Sequence, residues 1–244
     1  MPQPAIGQGL FLAELIKYYH EYRTEYLNWS ANSQPDTTAA VLNYQRAMLA
    51  WYEARIRREQ PYTGNVYHFI QVAATHYAGK DVTAEGNWQA ANLAGSLAQD
   101  PLLYLPHPIS LNDTQKLMSH QFRELGQNCR ELLLLAYYHR LSDARLSEVL
   151  EIGGAAQAAS KRSKCLLMVR ERWQHTDLMD VIDVATPEQH ELIDRYYRHE
   201  LEVSDRWEVE SLRSTDPRFL EAMSLREDWE DCLLIAGRQD TLTT

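Results

Sequence analysis

The stretch Phe122–Trp173, FRELGQNCRELLLLAYYHRLSDARLSEVLEIGGAAQAASKRSKCLLMVRERW, decides how the rest of the chain is read. An apolar helix over Glu131–Tyr138 ends near His139-Arg140-Leu141, and Ser142 stands where a side-chain oxygen caps the next helix. Asp143–Leu150 reads as a short helix with Leu146, Val149 and Leu150 on one face. Gly153 and Gly154 supply the reversal, because glycine enters the positive-φ region without steric cost. The last helix has a stripe of small and apolar residues: Ala155, Ala158, Ala159, Cys165, Leu166 and Val169. Gln157, Ser160, Lys161, Arg162 and Lys164 lie around that stripe. The whole is a helix-turn-helix.

Small residues let such a helix pack closely on its partner while amide and basic side chains project into a major groove. Gln157, Ser160, Lys161, Arg162 and Lys164 are therefore the candidate DNA contacts. Periodicity alone fits an ordinary helical hairpin with a solvated basic face equally well. The order of parts adds to it, through Asn128-Cys129-Arg130, Tyr137-Tyr138, Leu141-Ser142 and Lys164-Cys165-Leu166. That order resembles the promoter-reading C-terminal domain of sigma-70-type factors of the extracytoplasmic-function (ECF) branch. The resemblance implies an all-α protein that binds core RNA polymerase and promoter DNA, with the helix-turn-helix at the minus-35 element.

Charge is divided unevenly along the chain. The net charge is −10. Residues 1–114 carry 7 basic and 10 acidic side chains, residues 115–175 carry 10 and 6, and residues 176–244 carry 7 and 18. Only the helix-turn-helix segment is positive, so phosphate contact is expected there. The acidic end is expected to compete with DNA for the basic helix through loose attraction, as a built-in brake.

Before this segment, Leu12, Leu15, Ile16, Tyr19, Tyr22, Tyr26 and Trp29 recur at helical spacing, so residues 10–30 read as an amphipathic helix. A second helix follows over Thr38–Arg58 and a third over Asn65–Ala78, with Val66, Phe69, Ile70, Ala73, Ala74 and Tyr77 inward. The run Tyr44-Gln45-Arg46-Ala47-Met48-Leu49-Ala50-Trp51-Tyr52-Glu53 resembles the second helix of the ECF N-terminal domain, which docks on the polymerase clamp. The resemblance places polymerase contacts at Tyr44, Gln45, Leu49, Trp51 and Tyr52. The third helix of the family ends in an Arg-Asn pair that holds promoter DNA. Thr75 and His76 stand there in this chain, so they become candidate DNA contacts of altered chemistry.

Four segments result: a sigma region 2-like helical domain at 1–80, a linker at 81–113, a sigma region 4-like domain at 114–175, and an acidic helical extension at 176–244. Pro101, Pro106 and Pro108 spread the linker, and a helical turn over Trp88–Leu97 is expected inside it. In the extension, helices are expected from Thr186-Pro187, over Ser204–Leu212, and from Asp216-Pro217 to Leu234. Glu191-Leu192-Ile193-x-Arg195-Tyr196 resembles a helical pair at the start of some anti-sigma and envelope-stress proteins, which implies an anti-sigma or other protein partner for this extension.

No phosphate-binding Gly loop, nucleophile elbow, Cys-x-x-Cys or His-Glu-x-x-His spacing occurs. Neither an enzyme nor a cofactor or metal site is expected. Cys129, Cys165 and Cys232 each sit alone in an apolar helical stretch, and are read as buried thiols. The start MPQPAIGQG lacks the basic region of a secretory signal, and no apolar run reaches about 18 residues. A cytoplasmic protein without membrane insertion is expected. Three other readings stay open: a helix-turn-helix regulator that never touches polymerase, a sigma-like adaptor whose promoter choice comes from a partner, and an all-helical scaffold for protein.

Overall fold

Short polar residues start many of the helices. Asp36 accepts from the Thr38 and Ala39 amides, Asn65 from His68, and Ser142 from Arg145. Asn112 and Thr186 each form a reciprocal capping box, with Gln115 and Gln189. Each such cap satisfies amides that the helix itself leaves unpaired and contributes about 1 kcal/mol.

The computed structural model describes residues 8–32, 36–58, 61–79, 100–106, 109, 111–174, 185–198 and 200–243. The described residues are all-α, with no strand. The elements are α1 (Gln8–Ser30), α2 (Thr37–Ile56), α3 (Val66–Tyr77), a 3₁₀ turn (Pro101–Tyr104), α4 (Asp113–Arg123), α5 (Gln127–Leu133), α6 (Asp143–Val149), α7 (Ala155–Gln174), α8 (Pro187–Tyr197), α9 (Val203–Thr215) and α10 (Pro217–Thr243). They form two compact units, Met1–Pro108 and Ile109–Thr244. The helical turn expected at Trp88–Leu97 lies outside the described residues.

In the first unit α2 is enclosed by α1, α3 and the 3₁₀ turn, and every residue from Ala47 to Ala54 is buried. Tyr44 shows how completely: its ring meets Tyr19 and Tyr26 at 5.4 and 5.0 Å between centroids, and its hydroxyl donates to the Tyr19 carbonyl at 2.8 Å. Leu15 and Tyr26 of α1 turn inward as the spacing predicts, whereas Ile16 is 56% exposed. The expected inward residues Phe69, Ile70, Ala73 and Ala74 of α3 are buried.

The second unit joins the helix-turn-helix to the acidic C-terminal helices. Helix α5 runs into a π-type turn over Leu134–Tyr138, where the His139 amide reaches the Leu134 carbonyl at 2.9 Å. Arg140 then takes a left-handed φ of 57° and the Leu141 amide closes on the Leu135 carbonyl, which ends the helix sharply before Ser142. Between α6 and α7 the left-handed residues are Glu151 (φ 52°) and Gly154 (φ 135°). Gly153, expected to take a positive φ, does not, and the flexible end of the exposed Gln157 side chain lies beside it.

Helix α10 packs along α4 and the π-type turn. Trp229 stands between Phe122 of α4 and Trp173 of α7, at 5.4 and 5.2 Å. The Gln115 amide of α4 donates to Asp228 and Asp231 of α10 at 2.8 and 3.0 Å. A second small core, built from Ile193, Leu201, Val209, Phe219, Ala222 and Met223, closes α8, α9 and α10 on one another. The C-terminal segment is thus folded against the helix-turn-helix rather than loosely attracted to it.

Cys129 and Cys165 are disulfide-bonded, which corrects the expectation of buried thiols for this pair. They stand 36 residues apart in sequence, and the packing of α5 on α7 brings their Cα atoms to 5.5 Å, within the reach of a disulfide. Cys232 is a buried thiol. No helix of the described residues is long and apolar enough to cross a membrane.

Candidate nucleic-acid interface

Helix α7 has two faces of opposite character. Ala158, Arg162, Cys165, Val169 and Trp173 recur at intervals of three and four, and all are buried. Gln157, Ser160, Lys161 and Lys164 recur at the same intervals on the far side, and all are exposed. Four of the five expected DNA contacts on this helix therefore share one outward face. Arg162, the fifth, is a correction: it is only 8% exposed and points into the unit.

Arg162 is held there by carboxylates on both sides. Its guanidinium grips Asp143 of α6 in two-point fashion, Nε to Oδ1 at 3.0 Å and Nη2 to Oδ2 at 3.1 Å. Its Nη1 donates to Asp194 of α8 at 2.6 Å and to the Tyr137 hydroxyl at 2.9 Å. Tyr137 in turn donates to Asp194 at 2.8 Å. Burial pushes the Tyr137 hydroxyl above its ordinary range and Asp194 pushes it further, so it stays a donor. Burial works to raise the Asp143 carboxyl, but Arg162 and Arg198 overcome that and hold it below the usual carboxylate range. Planar two-point pairing of this kind fixes orientation as well as charge, so Asp143–Arg162 sets how α7 leaves α6.

The network extends in both directions with alternating sign. Arg198 meets Asp143 at 3.5 Å and Glu200 at 2.9 Å. On the other side, Arg226 meets Asp194 at 3.7 Å and Glu230 at 2.6 Å, and Arg140 meets Glu230 at 3.3 Å. Arg226 also lies over the Tyr137 ring at 4.8 Å. Sequence reasoning named none of Tyr137, Asp143, Asp194 or Arg226 for this role. The signal for Arg162 was nonetheless present, since it falls on the apolar stripe of its own helix.

The first unit arranges its candidates less openly. Tyr44, Leu49, Trp51 and Tyr52 are buried among α1, α3 and the 3₁₀ turn, which corrects their placement on a docking surface. Gln45 is half-buried, and its neighbours Leu42 and Arg46 are exposed. Thr75 is buried and donates to the Gln71 carbonyl of its own helix at 2.8 Å, so it is corrected from a DNA contact to a core residue, while His76 is exposed.

Among the described residues no group of three or more His, Cys, Asp or Glu is arranged to hold a metal ion. Two lysines, an amide and a hydroxyl share one exposed face of α7. No protein-family model, curated protein or solved structure matches the chain.

Proposed function

We propose that the chain is a sigma-like transcription factor of the ECF type, working in the cytoplasm, which reads promoter DNA with α7 and carries core RNA polymerase to it. The observation that carries this reading is the outward face of Gln157, Ser160, Lys161 and Lys164 on a helix held at a fixed angle to α6. α10 packs on α4 and the π-type turn. In the proposed complex Lys161 and Lys164 meet phosphates, and Gln157 reads a base edge, an amide being suited to adenine. The polymerase contact falls to the part of α2 that remains at the surface, Gln45 with Leu42 and Arg46. Any protein partner of the C-terminal helices meets their outer faces.

The test is transcription in vitro with core polymerase, together with DNA binding at several salt concentrations. Lys161→Ala and Lys164→Ala each lower affinity and flatten the slope of log affinity against log salt by about 0.9, one phosphate's worth. Gln157→Ala changes base preference by about 1–3 kcal/mol. If all three variants bind DNA like the parent, α7 is not the reader.

A second reading is favoured by the burial of Tyr44, Leu49, Trp51 and Tyr52: a helix-turn-helix regulator that acts without polymerase. Co-purification with core polymerase separates the two, and Gln45→Ala weakens that complex only under the first.

A further inference from the structure

We propose that the Cys129–Cys165 disulfide is a reversible redox latch, opened in the folded protein by a small thiol or dithiol, that sets how firmly α7 is held. The bond ties α5 to α7 across 36 residues. It enters α7 at Cys165, beside Lys164 and one turn beyond Lys161, so it acts on the turn that carries the outward lysines. Cys165 is 6% exposed, whereas Cys129 is half-buried in a turn whose neighbours Gln127, Asn128 and Glu131 are exposed. A thiol therefore reaches the pair from the Cys129 side. Its thiolate attacks the Cys129 Sγ, the S–S bond breaks, and the electron pair leaves on the Cys165 Sγ, which takes up a proton. A second thiol attacks the mixed disulfide, Cys129 departs as thiolate and is protonated, and the reductant leaves as its own disulfide. A glutathione-class disulfide reverses both steps.

Opening the bond does not dissolve the helix-turn-helix. Ala158, Val169 and Trp173 pack inward, and Arg162 grips Asp143 and Asp194, through contacts that do not involve either sulfur. The reduced state is a docked α7 with one constraint fewer. Cys232 is a bystander: its thiol, buried on α10, donates to the Gln115 carbonyl at 3.1 Å, and burial pushes its pKa up to about 11.

The full chain is tested oxidised and after treatment with dithiothreitol under native conditions, with alkylation by iodoacetamide and amide exchange both read by mass spectrometry. Expected are alkylation of Cys129 and Cys165 well before Cys232, amide exchange about tenfold faster in α5 and α7 of the reduced protein, unchanged exchange in α1–α3, and recovery on reoxidation with oxidised glutathione. Alkylation of all three cysteines at the same rate, or equal protection of α7 in both states, overturns the latch. Cys129→Ser reproduces the reduced pattern in both conditions; if that variant fails to fold, the titration of the unaltered chain decides alone. Whether α7 reads DNA is reported separately by the DNA affinity of the two states. A change in exchange with no DNA binding in either state upholds the latch and removes the DNA reading.

Discussion

Arg162 and Lys161 are neighbours in sequence, one buried and one exposed, and under the proposed function their substitution should separate stability from recognition. Arg162→Ala leaves Asp143 and Asp194 short of a partner in a largely buried site, so it should cost about 3 kcal/mol in urea unfolding. Lys161→Ala should change stability by no more than about 0.5 kcal/mol. Acid should act through the same network. Asp143 has a lowered pKa in the folded chain, so its contribution is complete above about pH 4 and is lost as pH falls below that. Glu200, raised chiefly by burial, has the opposite sign and offsets part of the loss. A stability profile against pH in which Asp143→Asn shows the same fall below pH 4 as the parent would refute this. The inward place of Arg162 was legible in the sequence, since it shares the spacing of Ala158, Cys165, Val169 and Trp173. Its charge argued the other way, and of the two carboxylates that make burial tolerable one lies 19 residues earlier on α6 and the other 32 residues later on α8.

Helix starts were legible because capping is local chemistry: Ser142, Thr186 and Asn112 act within three residues of themselves. Which faces are covered was not, because the covering elements come from far along the chain. α2 illustrates this. Its run from Ala47 to Ala54 has no polar side except Glu53, and its enclosure by α1, α3 and the 3₁₀ turn explains that composition better than a docking surface does. The Cys129–Cys165 pair escaped for the same reason, as each cysteine merely extends an apolar stripe until α5 and α7 meet. Close packing of elements also makes a sharp demand on Gly237 of α10, where a Cβ would fall 2.2 Å from the Tyr138 ring. Gly237→Ala should force α10 away from the π-type turn and cost about 1–3 kcal/mol, despite the better helix propensity of alanine. Unchanged melting of that variant would show that α10 is not seated as described.

For the molecule as a whole, the uneven division of charge did not disclose that the acidic end is packed against the helix-turn-helix. The acidic end supplies Asp194 and Glu230 as buried partners of arginines in and before α7, with Arg198 and Arg226 beside them. Truncation after His175 should therefore not release a brake. It removes Trp229 from between Phe122 and Trp173 and takes from Arg162 one of its two carboxylate partners, so melting should fall sharply and, under the proposed function, DNA affinity should drop at low and high salt alike. A rise in affinity confined to low salt would restore the loose-attraction reading.

The same arrangement has a consequence in time. A ribosome adds about 5–20 residues each second, so Asp194 emerges roughly 2–6 s after Arg162. During that interval Arg162 has Asp143 for a partner but not yet Asp194. The nascent chain is then less acidic than the finished protein will be, because most of the acidic side chains after residue 175 have still to be added.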